Sequence, residues 1–248
     1  MRVAVVVSVV CICVNADGAE LTAATAPSGD GIARGLVHVQ CKAADQVFWL
    51  SRGAILEIDA RRPRGEVIVT TAHGLPRAVD AILRDCVVLG RESERHKVAA
   101  VWNAGRFEEH VSHDWVVLLT KGRLDGRVGR LRVGLLPPAE LPDLIADGMS
   151  VWLLWPVGDS SRSQCQMLGG AEHVAEDFPL GLLTYSCRAR PGLSGAPLLV
   201  GVDQQPVMIG IHVGWRTLLG ESGGWSVGRL LDSEIYEAID AAVRQARR

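Results

Sequence analysis

The sequence predicts an all-β protein, built as barrels or as a sandwich in two halves, with one helix at its carboxyl end. Three observations lead there. About a dozen short runs rich in Val and Ile are each bounded by Gly, Asp, Pro or Arg, as strands of a buried sheet are. None of these runs persists at a helical period over about ten residues, so the strands must close on themselves or pack face to face. Residues 135–142 (Leu-Leu-Pro-Pro-Ala-Glu-Leu-Pro) hold prolines that no central strand tolerates, and they divide the runs into halves of similar size.

Met1 and Arg2 make a short positive start, residues 3–14 (VAVVVSVVCICV) are apolar or small without a break, and Asn15-Ala16-Asp17-Gly18-Ala19 follows. That pattern predicts an export signal over residues 1–19, cut between about Ala16 and Ala19, and hence a secreted or periplasmic protein. As a helix, the apolar stretch would rise about 18 Å, short of a hydrocarbon layer of roughly 30 Å. The competing reading is a buried first strand. No later segment reaches about 18 apolar residues, so no membrane contact is expected once the signal is removed. Residues 20–35 are small, polar and turn-prone and read as an amino-terminal arm.

The first half, residues 36–136, carries runs at 36–39, 47–50, 54–58, 67–71, 86–89, 98–102, 115–119 and 128–135. The second, residues 137–248, carries them at 151–155, 165–168, 182–187, 197–202, 207–213 and 224–227. At the end, Asp232 or Ser233 is placed to cap a helix. Its apolar positions Ile235, Ala238, Ile239, Ala242 and Val243 recur at three and four, with Arg244, Arg247 and Arg248 at the favourable terminus. This helix is expected to dock on the second half.

Of the 248 residues, 48% are hydrophobic and 22% charged, which supports a real core and excludes a largely disordered chain. The 26 Lys and Arg against 28 Asp and Glu leave a net charge of -2, which argues against a polybasic nucleic-acid binder. Removing the signal takes Cys11 and Cys13 with it and leaves Cys41, Cys86, Cys165 and Cys187, which can pair in three ways. No two stand at close metal-ligand spacing, against a zinc ribbon, and outside the cell disulfides are the natural reading.

Three segments carry chemistry. Residues 67–75 (VIVTTAHGL) are an apolar strand ending in His73 beside Gly74, and residues 112–119 (SHDWVVLL) set Asp114 at the mouth of a strongly apolar strand. Residues 190–199 (RPGLSGAPLL) hold Ser194 in a Gly-x-Ser-Gly turn before another buried strand. Each alone is weak. Together they supply a serine, an imidazole to take its proton, and a carboxylate to hold that imidazole in one tautomer. Gly192 and Gly195 let the chain turn tightly, so that the amides of Gly192 and Ser194 converge on a developing oxyanion. His113 adjoins Asp114, but strand alternation would point the two oppositely. His110-x-x-His113-Asp114 is a poor metal set, and His38, His96, His110 and His173 read as ordinary surface or strand residues. Neither a metal nor a cofactor is expected.

These segments resemble the trypsin-like (chymotrypsin-fold) serine peptidases, particularly the bacterial branch that includes the glutamyl endopeptidases. Thr71-Ala72-His73 matches the family's Thr-Ala-x-His with one residue missing. Asp114-Trp115-Val116-Val117-Leu118 and Pro191 to Pro197 match its other two motifs, and Ile209-Gly210-Ile211-His212 resembles a strand of its specificity pocket. The resemblance implies two six-stranded antiparallel β-barrels packed together, the active site between them, and a carboxyl-terminal α-helix. It also implies a catalytic set of His73, Asp114 and Ser194, an oxyanion hole at Gly192 and Ser194, and a pocket at Ala189, His212 and Gly214.

The departures are specific. Gly74 stands where animal members have a bridging cysteine, and Leu193 stands where zymogen-type members have an aspartate that pairs with a newly cut amino terminus. Cys165 and Cys187 are expected to be bonded near the pocket, and Cys41 and Cys86 are a candidate second pair. In the glutamyl branch a pocket histidine and a threonine recognise an acidic side chain; His212 matches the first, while Ala189 offers no hydroxyl for the second. Arg188 and Arg190 favour anions if either turns inward. The implied activity is peptide-bond hydrolysis through an acyl-enzyme, with a weak preference for acidic residues before the cut and a protein or peptide as substrate. The alternative is an inactive binding module that uses exposed aromatics such as Trp215 or Trp225. A doubly wound esterase fails on order, because that class places its serine before the acid and the histidine.

Overall fold

The computed structural model describes residues 10–11, 35–42, 48–58, 63–90, 94–103, 110–124, 129–136, 140–154, 162–168, 181–187, 190–202, 205–217 and 224–248. Six strands close the first barrel: β2 (Leu36–Lys42), β3 (Phe48–Ile55), β4 (Val67–Thr70), β5 (Cys86–Leu89), β6 (Arg95–Trp102) and β7 (Val116–Thr120), after a two-residue β1 (Val10–Cys11). Around the barrel the order is β2-β3-β4-β7-β6-β5, and every ladder is antiparallel. The second sheet follows as β8 (Arg132–Leu135), β9 (Ser150–Leu154), β10 (Arg162–Gln166), β11 (Leu182–Tyr185), β12 (Pro197–Val202), β13 (Gln205–Thr217) and β14 (Gly224–Leu230).

Six of these run antiparallel in the order β10-β9-β12-β13-β14-β11, and the sheet curls until the bridge Met167↔Tyr185 ties its two ends. β8 lies parallel to the start of β13, pairing Arg132 with Val207. It precedes the proline-rich stretch but belongs to the second sheet by hydrogen bonding, because β14 joins β13 only from Gly210 onward and leaves that flank open. β1 pairs in parallel with β8 through Val10↔Gly134 and Cys11↔Leu135. The rest of the apolar amino-terminal segment lies outside the described residues.

β4 and β7 are buried on both faces, which is why they read as unbroken apolar runs rather than as alternation. Ile68, Val116 and Leu118 fill the first barrel. Val67, Val69, Val117 and Leu119 face outward into a second cluster shared with Met208, Val213 and Val227 of the second sheet. The last helix (Ser233–Ala246) contributes Ile235, Ile239, Ala242 and Val243 to that shared cluster. It therefore packs against β7 and β4 of the first barrel, not on the second sheet alone as its place in the sequence suggests. Asp232 caps it, its carboxylate accepting from the Ile235 amide at 3.1 Å.

Among the described residues, two short α-helices lie between strands. Val79–Asp85 buries Ile82, and Leu141–Ala146 buries Leu141 and Leu144 with Pro142 in its first turn, where a missing N–H is harmless. Both are too short to show a period in sequence. The runs at 47–50 and 54–58 join as one strand, β3, because Ser51 is buried in the barrel wall instead of breaking it. Cys41 and Cys86 face each other across the β2–β5 ladder and are disulfide-bonded; Cys165 of β10 is bonded to Cys187 just beyond β11.

Candidate active site

His73 sits in the turn after β4. The turn is held by Asp114, whose Oδ1 accepts from the amides of Ala72 at 3.0 Å and His73 at 2.9 Å. Gly74 allows the turn to lie against β3, since a Cβ there would stand 1.8 Å from Ser51 Oγ. Asp114 itself is buried and ends a single 3₁₀ turn, Val111–His113, before β7. Strand alternation is therefore not what separates His113 from Asp114; the turn rotates the two side chains apart. Arg229 Nε donates to the Ser112 carbonyl at 2.5 Å, and Asn103 Nδ2 donates to the carbonyls of His113 at 3.2 Å and Trp115 at 2.8 Å. Asn103 adopts φ 66°, a left-handed conformation that asparagine tolerates better than most residues.

Ser194 lies in the turn that enters β12. Gly195, at φ 84°, brings its backbone so close to β3 that a Cβ would meet the Arg52 carbonyl at 2.0 Å. Its amide donates to the His212 carbonyl at 2.8 Å, while Leu193 is buried in the core of the second sheet. Among the described residues, the amides of Gly192 and Ser194 have no backbone acceptor.

These folds of chain bring the three side chains into one network. His73 Nδ1 lies 2.6 Å from Asp114 Oδ2, and His73 Nε2 lies 2.8 Å from Ser194 Oγ, across 41 and 121 residues of sequence. The imidazole is about one-third exposed (35%) and the carboxylate 7% exposed. A carboxylate that is buried and anchored by two amides fixes one imidazole tautomer, leaving the other nitrogen to accept the hydroxyl proton. This is the geometry that hydrolysis by a serine requires.

Of the three pocket residues, Ala189 lies outside the described residues, as does Arg188. Gly214 sits at a register shift of the β13–β14 ladder, beside Trp215, which is 40% exposed. His212 is buried with its Nδ1 2.5 Å from the Tyr185 hydroxyl. Burial first, then the nearby His73, pushes the His212 pKa down to about 4, against a smaller opposing pull from Asp114. It is a neutral imidazole at neutral pH. Burial likewise pushes the Tyr185 hydroxyl well above its ordinary range. Among the described residues, no group of three or more His, Cys, Asp or Glu is arranged to hold a metal, and no helix is long and apolar enough to cross a membrane.

Arg52, Asn103, Tyr185 and Arg229 escape the sequence reading. Their single signal is polarity inside an otherwise apolar strand or at its end, which does not reveal the distant partner. A closed barrel, a curled second sheet, a carboxyl-terminal helix and a His–Asp–Ser network between them are the arrangement of a chymotrypsin/trypsin-like protease fold. No family model matches the sequence, and no curated protein is significantly similar to it.

Proposed function

We propose that the protein is a serine endopeptidase. The observation that carries this reading is the single imidazole, His73, 2.8 Å from a serine hydroxyl on one side and 2.6 Å from a buried carboxylate on the other. In the proposed reaction, Ser194 Oγ attacks a peptide carbonyl while His73 Nε2 takes its proton. Asp114 stabilises the imidazolium, and the amides of Gly192 and Ser194 bind the oxyanion. His73 then delivers the proton to the leaving amine, and water repeats the sequence on the acyl-enzyme to release the acid and restore Ser194.

A weak preference for acidic residues before the cut rests on His212, whose neutral ring suits a hydrogen bond to a carboxylate better than an ion pair. Export is supported by the leader-like pattern of residues 1–19 and by the two disulfides, which an oxidising compartment favours. The test is reaction with a serine-directed phosphonylating reagent followed by location of the adduct. Labelling at Ser194 that is lost in His73→Ala supports the enzyme; no labelling of the folded protein leaves the binding-module reading. A peptide-library digest reads the specificity, and cleavage concentrated after Lys or Arg would reject the acidic preference.

A further inference from the structure

We propose that Arg52 is a positioning residue for the Ser194 turn, holding the 190–195 backbone in the conformation that presents the Gly192 and Ser194 amides to an oxyanion. The inference rests on the serine-peptidase reading above and concerns how this chain keeps that site in working order. The need arises from Leu193. An aspartate at this position, in the zymogen-type members that the sequence resembles, fixes the turn by pairing with a charged terminus. A buried leucine secures its own side chain in the second core but offers no charge.

The turn is left with one weak point. Gly192 adopts φ 87°, and among the described residues nothing lies within 4 Å of where its Cβ would be, so no side chain is packed on that face of the turn. Its carbonyl is held instead by Arg52, whose Nε donates to it at 3.1 Å from the wall of the other barrel. The Arg52 main-chain amide donates to the Ser194 carbonyl at 2.7 Å, so one residue of β3 grips the carbonyls on both sides of the nucleophile. Arg52 is in turn fixed from two directions. Its carbonyl accepts from Thr70 Oγ1 at 2.5 Å, and its Nη1 lies 2.7 Å from His38 Nε2.

A guanidinium cannot accept a hydrogen bond, so His38 must receive this one and carry its own hydrogen on Nδ1. Burial and the neighbouring guanidinium both lower the His38 pKa, in keeping with that neutral acceptor role. Among the described residues, no carboxylate pairs with Arg52. A half-buried arginine that directs its donors to the nucleophile turn and to an imidazole, and not to an acid, is placed for that turn.

The test compares wild type with Arg52→Met, which keeps the apolar stem, and Arg52→Lys, which keeps the charge and one donor. Measured are kcat, KM, thermal midpoint, and affinity for a peptide aldehyde whose hemiacetal oxygen must enter the oxyanion hole. In Arg52→Met, kcat and aldehyde affinity are expected to fall together by on the order of 10- to 100-fold, with KM and the thermal midpoint near wild type. Arg52→Lys is expected to recover part of both. Wild-type kcat and aldehyde affinity in the Met variant would overturn the proposal, as would a loss of thermal midpoint and KM in step with kcat. Should the Met variant fail to fold, the same comparison on the Lys variant decides between those outcomes. If wild type itself neither hydrolyses peptides nor reacts at Ser194, the serine-peptidase reading and this proposal fall together. Active wild type with an indifferent Arg52 removes the proposal alone.

Discussion

Tyr185 and His212 meet inside the second sheet, the hydroxyl oxygen 2.5 Å from the imidazole Nδ1, and both rings are buried. Burial of the His212 ring makes folding sensitive to acid. The His212 pKa is about 4 in the folded chain against 6.5 for an ordinary imidazole, so the unfolded chain binds a proton that the folded one refuses. Stability is therefore full above about pH 6.5 and declines as pH falls toward 4. The contribution from His212 is about 2 kcal/mol between pH 7 and pH 5. Urea unfolding at those two pH values is expected to show that difference in wild type and not in His212→Gln. An equal acid decline in both proteins would remove His212 as its source.

Asp114 divides its two oxygens between two tasks, and substitutions can separate them. Oδ1 accepts the Ala72 and His73 amides, while Oδ2 faces His73 Nδ1. Asp114→Asn keeps an acceptor for the amides but turns a donor toward Nδ1, forcing the wrong tautomer. Turnover is expected to fall by about 10⁴ with stability nearly unchanged. Asp114→Ala strands two buried amides as well, and is expected to lower stability by a further ~2 kcal/mol. Equal stabilities for the two variants would show that the His73 turn holds itself without Asp114.

Much of the fold is legible because burial dictates composition. β4, β7 and β12 stand out as strands since water reaches neither face. The closing helix shows its cap, Asp232, and its apolar period, although the barrel it covers depends on which surface is left open and not on the helix itself. The two short helices are silent because two turns are too few for a period to emerge. At the site, the segments bearing His73, Asp114 and Ser194 are recognisable from local residue patterns. Arg52, Asn103 and Arg229 are not, since each acts on a carbonyl distant in sequence, and a carbonyl looks the same in every residue.

Arg229 shows what that blindness conceals. It lies buried on β14 and donates to the carbonyls of Ser112 at 2.5 Å and Leu230 at 2.8 Å, and to the Asp232 carboxylate at 2.5 Å. Through Ser112 it fastens the turn that carries Asp114 to the second sheet. Arg229→Met is expected to cost about 3 kcal/mol in urea unfolding, because three buried carbonyls, that of Gly181 at 3.3 Å among them, lose a charged donor. Asp232→Ala is expected to cost less, about 1 kcal/mol, mainly through loss of the helix cap on a partly exposed group. A larger effect for Asp232 than for Arg229 would place the anchoring in the ion pair and not in the carbonyl contacts.

Ser51 and Gly74 approach closely enough for one more crosslink once the His73 turn moves off β3 by a few tenths of an ångström. A Cβ on Gly74 would stand 3.2 Å from Ser51 Cβ, a few tenths of an ångström short of the usual span of a disulfide. The two positions lie on β3 and on the His73 turn, so the bond would staple the base of the turn to the barrel wall. Ser51→Cys with Gly74→Cys is expected to oxidise spontaneously, with no gain of free thiol over wild type. A loop of this length adds about 3 kcal/mol of stability under non-reducing conditions, less any strain. Ser51→Cys alone is expected to show one reactive thiol on denaturation and no such gain. Two free thiols in the double variant, under conditions where the Cys41–Cys86 and Cys165–Cys187 bonds persist, would mean that the His73 turn stands farther from β3 than the Ser51–Gly74 approach allows.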